Sequence, residues 1–466
     1  MFVGREKELA ELERLYSTKT YQFVILYGRR RVGKSTLINQ FIQNKQAVYF
    51  TAVESDSRRN LELFSGILMK LRGIESEAMF SSWEKAFDEA ALLSKKRLVL
   101  IIDEYPYLAQ AEKSISSILQ HYCDTVFKKI PIMIILCGSS MSFMENQVLG
   151  YQSPLYGRRT AQMKIEPFGY GEAAAFVPKY TLEQKALVYG ISGGIPKYLE
   201  LINDSLSIKN NIIKNYLIIT GYLYEEPVNL LKQELREPAK YNMIIEAIAK
   251  GATRMNDIST KTGLDSSAVS NYINSLISLG ILRKESAVTE EKNKRKTLYR
   301  LADTMFIFWY RYVFGNEFSI VTGDAESLYD NEIEVNLNHF MGPVFEKMCA
   351  EYLGRLNAIH QGKVLPFKIR QLGRWWGSNP VTKTEEEIDL LGVNEKLSSA
   401  LFCECKYRNQ PTDLSVLNDL LAKAERWQEY KHKYFMLFSK SRFSKEVQTM
   451  AKKRGDVQLV RLEEMY

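Results

Sequence analysis

Residues 21–41 read Tyr-Gln-Phe-Val-Ile-Leu-Tyr-Gly-Arg-Arg-Arg-Val-Gly-Lys-Ser-Thr-Leu-Ile-Asn-Gln-Phe, and this stretch decides the fold of the first third. β-branched and aromatic residues fill Tyr21 to Tyr27, a buried strand, and the residues after Ser35 take helical spacing. Between them Gly28–Ser35 fits GxxxxGK[ST]. Glycines at 28 and 33 let the backbone turn its N–H groups onto phosphate oxygens, and the helix N-terminus adds the positive end of its dipole. Gly28, Arg29, Arg30, Arg31, Val32, Gly33, Lys34, Ser35 and Thr36 are therefore expected to hold nucleotide phosphates. Lys34 is placed to reach the β- and γ-phosphates and Ser35 to ligate Mg²⁺, so ATP and Mg²⁺ are the expected cofactors.

Downstream, Lys95–Leu108 (KKRLVLIIDEYPYL) is a basic entry, an apolar run and two carboxylates at the C-terminal end of a strand, where open α/β sheets place their chemistry. Asp103 is expected to hold Mg²⁺ through water and Glu104 to polarise the attacking water. A third apolar run, Pro131–Ser140, ends in hydroxyls; Ser139 or Ser140 is either a γ-phosphate sensor or an ordinary turn serine.

At 466 residues the chain exceeds what one hydrophobic core supports, so several domains are expected. Its composition, 45% hydrophobic and 25% charged, is that of a folded globular protein. The net charge of +8 permits a polyanion partner without requiring one. Cysteines 123, 137, 349, 403 and 405 have no disulfide-framework spacing, which fits a reducing cytoplasm. The apolar runs are far shorter than the ~20 residues that span a bilayer, so no membrane association is expected.

From Lys240, YNMIIEAIAKG, RMNDISTKTGL and DSSAVSNYINSLISLGIL give three short helices, with Asp265 or Ser266 capping the third. A strand from Gly280, the charged EEKNKRK and the returning TLYRLAD complete a winged helix-turn-helix. Ser266, Ser267, Ser270 and Asn271, with Lys292, Lys294, Arg295 and Lys296 on the wing, suit contacts to DNA; protein packing is the other use of this module.

Beyond the aromatic MFIFWYRYVF and an acidic linker, the chain reads as a separate mixed α/β domain from about residue 337. In residues 400–407 the strand period of two places Phe402, Glu404 and Lys406 on one face and Leu401, Cys403, Cys405 and Tyr407 on the other, the cysteines as packed apolar side chains. Asp389, on the strand EEEIDLLGVN, precedes Glu404 by 404 − 389 = 15 residues, enough for a hairpin that makes the acids neighbours. Asp389 and Glu404 suit Mg²⁺ binding and phosphodiester hydrolysis, with Lys406 orienting the phosphate and Glu346 completing the metal shell. Arg374, Trp375 and Trp376, just before the first strand, suit either nucleic-acid stacking or interface packing.

Read in order, FVGRE (2–6), GRRRVGKS, LVLIIDEYPYL, ILCGSS, SPLYGRRT (153–160) and GGIPKYL (193–199) resemble the archaeal-type ATPases of the AAA+/STAND class. The resemblance implies that Phe2 to Glu6 pack near the adenine, that Arg158 or Arg159 acts on the γ-phosphate, and that GGIPKYL opens a lid helix. Where such lids usually carry a sensor arginine, Lys197 follows Pro196. The motifs FE at 345–346, EIDLL and CECK resemble the PD-(D/E)XK nuclease superfamily, with Ile388 replacing the proline before Asp389; the whole arrangement resembles ATPases of the DUF234 type.

The expected fold is α/β throughout: a P-loop parallel sheet (1–165), a helical lid (166–236), a winged helix-turn-helix (237–315), a linker (316–336) and a restriction-endonuclease-like domain (337–466). The expected function is Mg-dependent ATP hydrolysis coupled to DNA binding or cleavage, with homo-oligomerisation possible. The alternative is a STAND-like switch or DNA-binding regulator whose C-terminal domain is catalytically inactive.

Overall fold

The structure is a computed structural model that describes residues 2–74, 79–290, 296–359, 365–378 and 383–466. Lys292, Lys294 and Arg295, expected on the wing, lie outside the described residues. The chain divides into two compact units, Met1–Phe168 with Ile195–Lys197, and Gly169–Gly194 with Tyr198–Tyr466.

In the first unit, strands β1 (Gln22–Tyr27), β2 (Ala47–Thr51), β3 (Leu98–Asp103), β4 (Ile132–Gly138) and β5 (Ala161–Lys164) form a parallel sheet in the order β2-β3-β4-β1-β5. β1, β3 and β4 are buried at every position, as strands covered on both faces must be. On one side Phe50, Phe64, Trp83 and Phe87 pack together, with Phe64 stacked on Trp83 at 5.6 Å. Because the order reverses at β4 and β1, the loops leaving the C-terminal ends of β1, β3 and β4 meet in one crevice.

The second unit begins with short helices that include Leu182–Ser192, capped by Thr181. The helices Pro238–Ala249, Met255–Thr262 and Ser266–Ser278 follow, then the antiparallel hairpin β6 (Leu282–Glu285) and β7 (Leu298–Leu301), which completes the winged helix. Of the two candidate caps, Asp265 acts, accepting from the Ser267 and Ala268 amides at 3.0 and 2.9 Å. The stretch expected as an acidic linker is instead helical over Glu317–Val321 and Ala325–Leu328 and runs into the long helix Glu334–Ile359. Ile320, Leu328, Tyr329 and Ile333 are buried there, so packing orders a segment whose charge content suggested solvent exposure.

The C-terminal sheet consists of β8 (Gln371–Ser378), β9 (Glu385–Asn394), β10 (Ser399–Lys406), β11 (His432–Ser439) and β12 (Val457–Arg461), ordered β12-β11-β10-β9-β8. β8, β9 and β10 are antiparallel, whereas β10, β11 and β12 are parallel. Leu391, Val393 and Phe402 pack with Leu417 and Leu420 of the helix Leu414–Glu425. On the other face Tyr407 meets Phe345 of the long helix at 5.5 Å, following the alternation expected along β10. Arg374, Trp375 and Trp376 lie within β8 rather than before it, and Trp375 is buried against Trp427 at 5.1 Å. Among the described residues no helix is long and apolar enough to cross a membrane.

Candidate nucleotide and nuclease-like sites

β1 ends where the glycine loop begins, and the helix Lys34–Phe41 starts at Lys34 without a side-chain cap. Its first N–H groups therefore have no partner within the helix, the arrangement that favours an anion. Gly33 adopts φ +87°, a left-handed conformation that glycine enters at no steric cost. Gly28 is required for a different reason: a Cβ there would stand 2.4 Å from the Ile165 carbonyl oxygen. Gly28→Ala is expected to cost on the order of 2 kcal/mol or more by forcing β1 and the segment after β5 apart. A fall of several degrees in the thermal midpoint is the result to look for.

Lys34 is buried and its Nζ donates to the Gly28 and Arg29 carbonyls at 2.8 and 3.0 Å, the lysine folded over the loop it would share with phosphates. Ser35 Oγ donates to Asp103 Oδ2 at 3.1 Å, so a hydroxyl and a buried carboxylate already converge, the donor pair a hard cation such as Mg²⁺ takes. Tyr49 donates to the same oxygen at 2.6 Å. Burial and the Asp103 carboxylate push the Tyr49 hydroxyl up, which keeps it a donor. The other carboxylate oxygen accepts the Glu104 amide at 2.9 Å.

Glu104 adopts φ +50° at the start of the helix Tyr105–Ala111, with Pro106 in the first turn. A non-glycine residue held there costs on the order of 1 kcal/mol, and such strain is retained where the surroundings enforce it. Ser139 holds the side chain by donating its hydroxyl at 2.8 Å and its amide at 3.3 Å to Glu104 Oε2. Arg30 donates to the Tyr107 hydroxyl at 3.0 Å. In Ile195–Lys197, the Pro196 ring lies 3.8 Å from the position of a Cβ on Gly33, and the Lys197 amide donates to the Arg31 carbonyl at 3.4 Å.

Arg5, within FVGRE, was expected only to pack near a base. It is buried, donates to the Val32 and Glu166 carbonyls at 2.9 and 2.6 Å, and lies 4.3 Å over the Phe168 ring. Arg5 thus ties the glycine loop to the chain after β5. Its left-handed φ of 69° was not legible from composition or spacing.

Arg158 lies away from the glycine loop. Its guanidinium pairs with Asp124 at 2.8 Å, just before β5 enters the sheet opposite Val24. That is the N-terminal edge of the sheet, whereas the glycine loop leaves the C-terminal edge. At about 3.3 Å per strand residue the two edges are ~15–20 Å apart, so Arg158 does not reach a γ-phosphate on its own chain.

In the second unit Asp389, Glu404 and Lys406 come together on β9 and β10. Gly373 pairs with Leu391 but Trp375 pairs with Ile388, so Asp389 and Leu390 together oppose the single residue Arg374. This is a β-bulge, a device that re-aims a side chain and often flanks a site. Asp389 Oδ2 accepts the Cys405 amide at 2.8 Å. Lys406 Nζ contacts Glu404 Oε1 at 2.5 Å, and Lys423 lies 3.6 Å from the other oxygen.

The expected metal shell of Glu346, Asp389 and Glu404 is not assembled in this arrangement: among the described residues no three His, Cys, Asp or Glu side chains are placed to hold a metal ion. The bulge displaces Asp389 from simple alternation and two lysines occupy Glu404. The three acids remain electrostatic neighbours. Burial, then the Glu404 charge, pushes Asp389 up to about 6; burial, then Asp389, pushes Glu346 up to about 7. Folded values above the ordinary ones mean that the native state keeps protons the unfolded chain has released. The associated stability is present at acid pH and is lost as pH rises through the folded values. Glu346→Gln is therefore expected to raise stability by about 1–2 kcal/mol at pH 8 and to leave it unchanged near pH 4, as read by denaturant melts at both pH values.

A glycine loop between strand and helix, an inward-folded lysine, and a serine–aspartate pair across to β3 define the first unit as a P-loop domain of the ATPase type. Residues 2–202 match the family described as an ATPase domain predominantly from Archaea. Residues 240–286 match the IclR helix-turn-helix domain, and 309–423 match a family of archaeal and bacterial proteins of unknown function. An uncharacterized protein of Methanocaldococcus jannaschii is 34% identical over 451 residues, 96% of this chain and 97% of that one. An uncharacterized ATP-binding protein of the same organism is 52% identical over 46 residues, 10% of this chain and 78% of its own length. The Walker-type ATPase of Pyrococcus abyssi shares the fold, with a TM-score of 0.51 at 18% identity over 66% of this chain and 96% of that one. The chain belongs to the archaeal ATPase family and also matches the helix-turn-helix and the C-terminal domain of unknown function.

Proposed function

We propose that this protein binds and hydrolyses Mg-ATP at Gly28–Ser35 and couples its nucleotide state to the binding or cleavage of DNA by its C-terminal nuclease-like domain. The convergence of Lys34, Ser35, Asp103 and Glu104 at the ends of β1 and β3 carries the ATPase half. The loop from Gly28 to Thr36, including Arg29 and Val32, cradles the phosphates. Lys34 exchanges its two loop carbonyls for phosphate oxygens, and Ser35 and Asp103 hold the cation. Mg²⁺, when bound, neutralises charge on the phosphates. Glu104 positions the attacking water once Ser139 releases its carboxylate, which makes Ser139 a positioning residue. At the edge of the sheet it occupies, Arg158 serves only the nucleotide of a second copy, so a role for Arg158 or its neighbour Arg159 goes with a homo-oligomer. We assign 1–165 to the ATPase core, 166–236 to the lid, 237–315 to the winged helix, 316–336 to the connecting segment and 337–466 to the nuclease-like domain, in the cytoplasm.

For cleavage, Asp389 and Glu404 would have to give up the Cys405 amide and the two lysines to hold a metal, with Lys406 then orienting the phosphodiester and Glu346 beside them. The strong neutralisation of Glu404 by two lysines favours a second reading, in which the C-terminal domain is inactive and the protein is an ATP switch or DNA-bound regulator. Plasmid and linear DNA incubated with Mg²⁺ or Mn²⁺ decide between them. Metal-dependent cutting that Asp389→Ala abolishes supports the nuclease; binding without cutting supports the switch.

A further inference from the structure

We propose that the base of the winged hairpin and β8 together form a phosphate-binding cluster of three guanidinium groups, Arg283, Arg300 and Arg374, that holds a nucleic-acid backbone beside Glu346 and Asp389. The proposal rests on the nucleic-acid reading of the C-terminal domain and assigns the anchor of that substrate to the winged helix.

Arg283 and Arg300 are cross-strand partners on β6 and β7, directly opposite each other. Like charges so placed destabilise a hairpin unless a counter-charge joins them. Glu285 bridges them, 3.5 Å from Arg283 and 3.0 Å from Arg300. Arg374 faces the bulge that carries Asp389 and is paired with Glu387. The hairpin is fixed against β8: the Val288 amide donates to the Arg374 carbonyl at 2.9 Å, and Ala287 and Val288 belong to the apolar cluster of Trp375, Leu391 and Phe402. Lys296, paired with Glu290 at 2.7 Å, has its Nζ 5.9 Å over the Trp375 ring.

Burial, then Arg374, lowers the Arg300 guanidinium from its ordinary range, while Arg374, despite its own burial, is raised by Glu387 and Glu346. Arg374 stands opposite the bulge that carries Asp389, which places the cluster beside a candidate catalytic acid. The helix Ser266–Ser278, by contrast, has no lysine or arginine to grip phosphates. Guanidinium groups bind phosphate oxygens in bidentate fashion, and each phosphate contact adds to the salt dependence of binding.

The test measures anisotropy of a labelled duplex and of its single strand, in EDTA across a salt series, with full-length wild type, Arg283→Gln/Arg300→Gln and Arg283→Lys/Arg300→Lys. The glutamine pair is expected to lose at least tenfold in affinity and to reduce the log K against log salt slope by about 2. The lysine pair, which keeps the charge, should retain the slope with a smaller loss of affinity. Equal binding by all three proteins overturns the proposal, as does a wild type that binds no oligonucleotide. If inorganic phosphate binding is lost in the glutamine pair while oligonucleotide binding is intact, the cluster is a small-anion site and the proposal also fails. Unchanged ATP hydrolysis and thermal midpoint certify that each variant is folded; a misfolded glutamine pair leaves the decision to the lysine pair, where loss of the salt slope contradicts the proposal. A wild type that binds through these arginines but never cuts DNA removes the nuclease reading and leaves the cluster standing.

Discussion

Lys34→Ala is expected to weaken ATP binding about 100-fold or more and to abolish measurable hydrolysis. The buried ammonium makes two hydrogen bonds to loop carbonyls at 2.8 and 3.0 Å, and with nucleotide bound these are exchanged for charge-assisted bonds to phosphate. Hydrogen bonds to charged groups contribute roughly 1.5–3 kcal/mol each, so losing two removes at least about 3 kcal/mol of binding. The same substitution also leaves the Gly28 and Arg29 carbonyls without their partner, so a lower thermal midpoint in the absence of nucleotide accompanies the loss. Titration with a fluorescent ATP analogue, read beside steady-state phosphate release, checks both effects. ATP affinity within a factor of three of wild type would show that phosphates bind elsewhere.

Glu104→Gln has a different signature. The amide keeps an oxygen to accept from Ser139, and the backbone at φ +50° is as strained for glutamine as for glutamate, so folding and ATP affinity are expected to stay near wild type. The lost carboxylate removes the group that orients and polarises water, and a positioned acid–base group contributes about 10²–10⁴-fold. Hydrolysis should therefore fall by at least about 100-fold with binding intact. A variant that hydrolyses ATP at a rate close to wild type would move the water-positioning role to another residue. If Ser139 restrains Glu104 as its two contacts indicate, Ser139→Ala changes the hydrolysis rate without changing ATP affinity.

The nucleotide site was readable in advance where its parts are neighbours in the chain. Gly28, Gly33, Lys34 and Ser35 occupy one loop, and Asp103 and Glu104 end one apolar run. The supports of the loop were not readable, because they come from afar: Arg5 reaches Val32 across 27 positions, and Tyr49 reaches Asp103 across 54. No local pattern encodes either contact. For Arg158 the motif order shows that a basic residue follows β4 but not at which end of the sheet it lies.

In the C-terminal domain, the spacing of Asp389 and Glu404 located two neighbouring acids, and alternation along β10 sorted its two faces. Alternation on β9 failed at Asp389 because a single extra residue opposite Arg374 breaks the pleat. The hairpin of the winged helix was legible from its own residues, whereas its attachment to β8 through Val288 is a long-range packing event. Hence Arg283 and Arg300, which look like surface charges in the sequence, sit on a hairpin that is fastened to β8 at Arg374 in the fold.

Coupling between the nucleotide and the distal site is the central claim, and DNA cleavage with and without ATP tests it most directly. Wild type should cut DNA in Mg²⁺ or Mn²⁺ at a rate that changes severalfold when ATP is added, whereas Lys34→Ala should cut at one rate in both conditions. Identical cleavage by wild type with and without ATP would contradict the account, and no cleavage under either condition would remove its nuclease half.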